Sequence, residues 1–363
     1  MIKDLSVALR SVPLARPWGA DVPHNHVLFV TLTLGDGRTG TGISWTPQIG
    51  AHAVKALLEH DVRDAVIGLP AHPGLVWDRL SARLGEAGRT GIVPIALAGV
   101  DLALWDLECG DRALSDVLGA RRASVPVYGS GINLHYPLDE LVAQAERWAA
   151  IGYPAVKIKV GRPSLAEDVE RVAAVRAVIG PDTALMIDAN QRWDLHRART
   201  ALRALERFDP FWIEEPLPAD DLAAHAELRR SIGTPIAVGE NVATAHGFRD
   251  LLTAGACDVV QPNVVRVGGI TPFLRIAGLA RVFDVPVYPH LLTELSGQLA
   301  LALHHPAMVE HPEDASLTEL GLLADPSPVE VTTAIAGGRG GSSPRGRKGA
   351  ELRATGAPTR WAL

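Results

Sequence analysis

The sequence predicts an α/β chain in which a barrel of eight parallel strands follows a smaller α+β domain. Three observations lead there. From Val125 onward, short apolar runs alternate with stretches of helical periodicity. Three of those runs close on an acid: ALMIDAN on Asp188, FWIEEP on Glu214 and IAVGEN on Glu240. The acids are evenly spaced, 214 − 188 = 26 and 240 − 214 = 26, about one strand-plus-helix unit apart. Acids at the C-terminal ends of successive barrel strands meet at one mouth, and three hard oxygen ligands there suit Mg²⁺.

The elements follow in order. Residues 1–45 are expected to form strands, with VLFVTLTL (27–34) turning through the GDG at 35–37 into TGTGISW. Residues 51–118 carry apolar positions at helical spacing. The eight barrel strands are expected at 125–131, 155–161, 183–190, 211–216, 235–240, 259–263, 285–290 and 308–312. Helices fill the gaps, for example 138–152 and 165–180, with Gly152 and Gly180 as C-terminal caps. The domains expected are a cap over 1–120, a barrel over 121–325 and an irregular tail over 326–363, whose core is the Gly/Arg-rich GGRGGSSPRGRKG at 337–349.

Composition narrows the function. With 363 residues, 47% hydrophobic and 21% charged, the chain has ample core for one barrel plus a small domain. A formal charge of −6 speaks against nucleic-acid and membrane partners. Two cysteines, Cys109 and Cys257, allow no disulfide framework and read as buried reduced thiols. The first ten residues carry charges and no apolar run, unlike a signal peptide, and no apolar run reaches the ~18 residues of a membrane span. The expected location is cytoplasmic.

Lys157 and Lys159 flank Ile158 on the second barrel strand, so both face inward. Two close ammonium groups in a partly dry site are expected to lower each other's pKa, which suits Lys159 as a general base. His290 ends the seventh strand and is placed across the substrate from the lysines. Asn190, two residues after Asp188, is expected on the same inward face, and Glu310 on the eighth strand suits either a hydrogen bond to a substrate carboxylate or a structural ion pair at the barrel rim. Glu215 should point away from Glu214 and serve either behind the ligand acids or in packing. Arg266 suits either an anionic substrate or a barrel carboxylate, and Gly268-Gly269 suits a tight turn. His304, His305 and His311 lack metal-ligand spacing, while His24 lies in a loop suited to capping the mouth.

Together Lys157-x-Lys159, Asp188-x-Asn190, Glu214-Glu215-Pro216, Gly239-Glu240-Asn241, the RVGGI at 266–270 and His290 resemble the enolase superfamily, specifically its mandelate racemase subgroup. The segments KVGRPSLAEDVERV, IDANQRWD, WIEEPL and QPNVVRVGGITPFL look most like its acid-sugar dehydratases of the talarate/galactarate type. The likeness implies a modified TIM barrel, (β/α)₇β, under an N-terminal α+β capping domain. It implies Mg²⁺ on Asp188, Glu214 and Glu240, Lys159 as base on one face, His290 as acid or base on the other, and Glu310 near the substrate carboxylate. The activity implied is a dehydratase that removes the proton α to a carboxylate of an acid sugar and eliminates the β-hydroxyl to give a 2-keto-3-deoxy acid. A racemase or epimerase of 2-hydroxy acids using the same intermediate, and a non-catalytic relic, are the alternatives. Expected partners are a small acid-sugar or hydroxy-acid substrate and further copies of the chain.

Two positions depart from the family pattern. Asn263 stands where the family usually places an aspartate behind its histidine; it is expected to accept the imidazole N–H and to leave His290 a weaker base. The Gly/Arg-rich stretch stands where the family's chain returns to complete the cap, so a cap lacking that return is expected.

Overall fold

A computed structural model describes residues 1–18, 22–333 and 349–362. Alternating burial along the first segments makes an antiparallel meander of β1 (Ile2–Trp18), β2 (Val22–Leu34) and β3 (Thr39–Thr46). The turn at 35–38 joins β2 to β3, with Gly37 at φ 89°. One face of this sheet meets the helix Ile92–Cys109, which is apolar nearly all round and buried. The approach is close enough to demand glycine: a Cβ on Gly42 would lie 2.3 Å from Gly99 O, and one on Gly99 would lie 2.5 Å from Val30 Cγ2. That contact accounts for the TGTG at 39–42.

The strand–helix alternation follows as expected. Seven short strands form it: β4 (Ser124–Ser130), β5 (Ala155–Lys159), β6 (Ala184–Asp188), β7 (Pro210–Glu214), β8 (Ile236–Val238), β9 (Val259–Val260) and β10 (Val309–Pro312). β4 through β9 pair in parallel in chain order, and β10 pairs in parallel with β4. The expected seventh strand, 285–290, is reduced to a bridge between Val287 and Val260. Gly152 caps the helix Leu138–Ile151 in the left-handed conformation, and Gly180 follows Leu165–Ile179 at φ 73°.

Strand parity divides the core in two. Tyr128, Ala155, Met186, Trp212, Ala237 and Val259 form an inner cluster of their own, whereas Val156, Ile158, Leu185, Ile187 and Ile213 join the larger core under the helices. Lys157 and Lys159 share the parity of Ala155, so the expected inward direction of both lysines holds. Cys109 and Cys257 are both buried and free. Among the described residues no helix is long and apolar enough to cross a membrane.

The tail corrects two expectations. Residues 334–348, which hold most of the Gly/Arg-rich stretch, lie outside the described residues. On either side of them the chain is ordered as strand, not irregular: β11 (Val329–Thr332) pairs antiparallel with β12 (Glu351–Ala354), and β12 pairs antiparallel with β4. The chain also returns to the cap. Trp361 Nε1 donates to Thr41 O at 2.8 Å, and its ring lies 6.4 Å from that of Phe29. A four-residue strand such as ELRA offers too short a pattern to be recognised, and one of its two partners, β4, lies more than two hundred residues away.

Candidate active site

The register of the parallel strands sets Lys159 beside Asp188, and Asp188 beside Glu214. β8 ends two residues short of Glu240, where Gly239 turns at φ 150° against the backbone of Gln261. The expected acids therefore do converge at the C-terminal ends of the strands. Asp188 and Glu214 are fully buried, and Glu240 is slightly exposed.

Each acid meets a cation. Lys159 Nζ pairs with Asp188 Oδ2, whose partner oxygen accepts from Asn190 N at 2.8 Å. Lys157 Nζ lies 2.7 Å from Glu214 Oε1 and 2.9 Å from Glu310 Oε1. His290 Nε2 lies 2.7 Å from Glu240 Oε2 and 3.9 Å from Glu310 Oε2. Two further donors, Gln261 Nε2 at 2.7 Å and Trp212 Nε1 at 3.3 Å, serve Glu214 Oε2. Ser130 Oγ and Leu291 N hold Glu310 at 2.6 and 3.0 Å.

The expectation that the lysines depress each other's pKa is corrected. Burial pulls each down, but Glu214 and Glu310 hold Lys157 well above its ordinary value, and Asp188 holds Lys159 above its own. Each ammonium is paired with a carboxylate, and on Lys159 the pull of Asp188 exceeds the repulsion of Lys157. Among the acids, burial drives Glu214 up to about 7, Lys157 opposing while Asp188 and Glu240 add to the rise. Glu240 moves down: burial opposes the shift, and the charge of His290 outweighs it. Glu310 falls to about 2, where Lys157 and His290 overcome burial. His290 rises because Glu240 outweighs burial.

Other expected residues divide. Asn190 stays exposed with φ 43°; β6 has ended at Asp188, so strand alternation no longer governs it, and only its N–H touches the acid. His24 stands exposed on β2 in register with Pro13 and is not joined to this network. Glu215 is buried at φ 38° and, of its two expected places, takes the one beside the acids: Asn241 Nδ2 reaches its Oε2 at 2.7 Å and Glu240 Oε1 at 3.2 Å. Burial, then Glu240 and Asp188, hold Glu215 well above the usual carboxylate range. Arg266 contributes a backbone N–H, not a guanidinium, to Asn263.

Asn263 is buried behind His290 as expected, but in the opposite sense. Its Oδ1 accepts from Val265 N and Arg266 N at 3.0 and 3.1 Å, which leaves Nδ2 to face His290 Nδ1 at 3.1 Å. The amide donates to the ring. Sequence reasoning also missed Gln261, Ser130 and Asn241; the first shares strand parity with Asn263, the second ends β4, and the third follows Glu240, so position alone marked them.

The donor set fits a divalent cation. Glu214, Glu240 and His290 present ligand atoms within 4.8 Å of one another, and that group can hold a metal ion; it shares Glu214 and Glu240 with the expected triad but has His290 where Asp188 was expected, Asp188 being paired with Lys159. Glu240 Oε2 is buried and lacks an aligned hydrogen bond despite its nearness to His290. Glu214, Glu215 and Glu240 crowd charge that a cation would relieve.

Comparison places the chain. Residues 140–338 match the model of the enolase C-terminal domain-like family. The chain is 39% identical over 279 residues to the 3,6-anhydro-α-L-galactonate cycloisomerase of Streptomyces coelicolor, covering 76% of this chain and 77% of that one. It is 34% identical over 323 residues to the L-talarate/galactarate dehydratase of Salmonella typhimurium, covering 85% and 81%. The solved L-talarate dehydratase of Polaromonas sp. JS666, complexed with Mg and L-glucarate, superposes with a TM-score of 0.85 at 33% identity, covering 100% of this chain and 94% of that one. A family model matched over more than half of its length, with relatives aligned across both domains, makes this chain a member of the enolase superfamily, among its mandelate racemase-like enzymes.

Proposed function

We propose that the chain is a Mg²⁺-dependent enzyme that removes the proton α to the carboxylate of an acid sugar and then breaks the β C–O bond. The observation that carries this reading is the pairing of Lys159 with Asp188 and of His290 with Glu240 on either side of Glu214 at one barrel mouth. Magnesium, when held by Asp188, Glu214 and Glu240, neutralises the charge that raises Lys159 and polarises the substrate carboxylate.

The chain's own residues do the rest. Lys159, as the free amine, takes the α-proton, leaving an enediolate. Its electrons form the C=C bond as the β C–O bond breaks, and His290 Nε2–H protonates the departing oxygen. The resulting enol tautomerises to a 2-keto-3-deoxy acid. Lys157, locked between Glu214 and Glu310, is a fixed charge and not a second base.

The two curated relatives divide between lyase and isomerase, and one elimination accommodates both. If the departing oxygen is a hydroxyl, water leaves and the reaction is a dehydration. If it is a ring ether, as a 3,6-anhydro sugar acid contains, it stays tethered and the product is an isomer. A racemase or epimerase is the second reading, favoured by a proton-carrying group on each side of the site.

The test is to incubate the Mg²⁺-loaded protein with galactarate, L-talarate, L-glucarate and 3,6-anhydro-L-galactonate. Formation of a 2-keto acid is expected from at least one. Exchange of the α-proton in D₂O with no keto acid would favour the racemase. Neither product nor exchange would overturn both readings.

A further inference from the structure

A second cluster of charge lies at the other end of the barrel. Arg121 precedes β4, Arg281 sits in the last turn of the helix Ile270–Val282, and His304 and His305 precede β10. These positions all lie on the N-terminal side of the strands, whereas Lys159, Asp188 and Glu214 end theirs and His290 follows the bridge at Val287. The four side chains line a cavity of about 140 Å³ floored by Val287, Leu299 and neighbouring apolar groups.

The cavity is built and not incidental. Arg122 beside it spends its guanidinium on three backbone carbonyls, reaching Ala300 O and Leu303 O at 2.8 Å and His304 O at 3.2 Å. Arg121 N donates to Leu301 O at 2.9 Å. The turn that carries the histidines is thereby clamped to the entry of β4. The two imidazoles meet edge to face at 5.2 Å, and His305 Nε2 is buried with no partner among the described residues.

The charge is unmatched. Among the described residues no carboxylate pairs with Arg121 or Arg281. His304 is held below its ordinary value, first by Arg281, then by burial, His305, Arg121 and Arg122. Arg121 and Arg281 are exposed and carry the charge of the cluster, so an anion seated between them would meet two guanidinium groups on a protein of net charge −6.

We propose that this cavity is a binding site for a small organic anion, a carboxylate or phosphate attached to a short apolar body. The head group would lie among Arg121, Arg281 and His304, with His305 Nε2 as a further partner, and the apolar body on Val287 and Leu299. The cavity opens to solvent, and its volume of about 140 Å³ suits a small anion. Nothing in this assignment depends on the catalytic reading.

The experiment is titration of pyruvate, inorganic phosphate and glycerol 3-phosphate into the Mg²⁺-saturated protein, followed calorimetrically and by thermal shift. The variants are wild type, Lys159→Ala, and the surface double variant Arg121→Ala/Arg281→Ala. Saturable binding of at least one anion is expected in wild type and in Lys159→Ala, weakened at least tenfold in the double variant. Pyruvate binding with both phosphates silent assigns a carboxylate, and the reverse assigns a phosphate. No saturable binding to wild type, or binding kept intact in a folded double variant, would overturn the site. So would loss of binding in Lys159→Ala alone, which would place the anion at the catalytic mouth. A changed sedimenting mass in the double variant would reassign the cluster to a contact between copies and equally overturn it.

Discussion

Asn263 turns a hydrogen-bond donor, not an acceptor, toward His290. Its oxygen is held by two backbone N–H groups, so Nδ2 must donate across 3.1 Å to Nδ1. The ring proton then belongs on Nε2, which faces Glu240 at 2.7 Å. Glu240 draws His290 toward the charged form while Asn263 disfavours the second proton that form requires.

Asn263→Asp removes that conflict. One carboxylate oxygen can still accept from Val265 and Arg266, and the other can accept from Nδ1–H. The imidazolium gains, so the pH–rate profile should move to higher pH and α-proton exchange on the histidine face should strengthen. Elimination at neutral pH should change comparatively little. The two rates measured across pH 5 to 9 check this, and unchanged profiles would mean that Asn263 does not control the ring.

Lys159→Ala should lower turnover by roughly 10²–10⁴-fold, the usual worth of a general base. Mg²⁺ affinity should not fall, because Asp188 loses a competing cation. Turnover and calorimetric Mg²⁺ binding on the same preparation test both halves. Wild-type exchange of the α-proton in this variant would move the base elsewhere.

Asn241 bridges Glu215 and Glu240, and its loss should be felt by the metal. Asn241→Ala is expected to weaken Mg²⁺ binding about 10–100-fold, as outer ligand partners commonly do. Wild-type protein at a hundredfold excess of Mg²⁺ over Kd should gain about 2.7 kcal/mol of stability. Thermal unfolding with and without Mg²⁺ would show a smaller gain in the variant.

Asp101 supplies a pH test outside the site. It is buried between the helix Ile92–Cys109 and the turn at Gly269, accepting from Thr271 N at 2.9 Å, and burial raises it from 3.8 to about 7. The folded state holds the proton more tightly than the unfolded state. Its contribution is complete below pH 3.8 and is lost as pH rises to about 7, at about 1.4 kcal/mol per unit. Asp101→Asn keeps an acceptor for Thr271 and should flatten that part of the stability profile. Chemical denaturation from pH 4 to 8 measures it, and an unchanged slope would contradict the assignment.

What could be read in advance was whatever depends on strand parity and unit length. The positions of Asp188, Glu214 and Glu240 follow from the period of the barrel, and the direction of Lys157 and Lys159 from alternation. Asn190 escaped because alternation stops where β6 ends. The lysine charges escaped because an acid's proximity outweighs a neighbour's repulsion, and proximity belongs to the folded register. The direction of the Asn263 amide was illegible, since it is set by which backbone groups happen to reach its oxygen. The strands flanking residues 334–348 were hidden by their brevity.

The links from β12 to β4 and from Trp361 to the first sheet bear on the order in which the protein can be completed. Synthesis proceeds from the N-terminus, so β1 to β3 and every residue of the catalytic mouth emerge before Glu351 does. Until then the edge of β4 lacks its antiparallel neighbour, and Thr41 O lacks the indole that Trp361 brings. The nascent chain must hold an unfinished edge beside its chemistry for the whole of that interval. An unpaired edge of this kind invites the wrong partner, so the closing stretch guards the growing protein as well as joining its two halves.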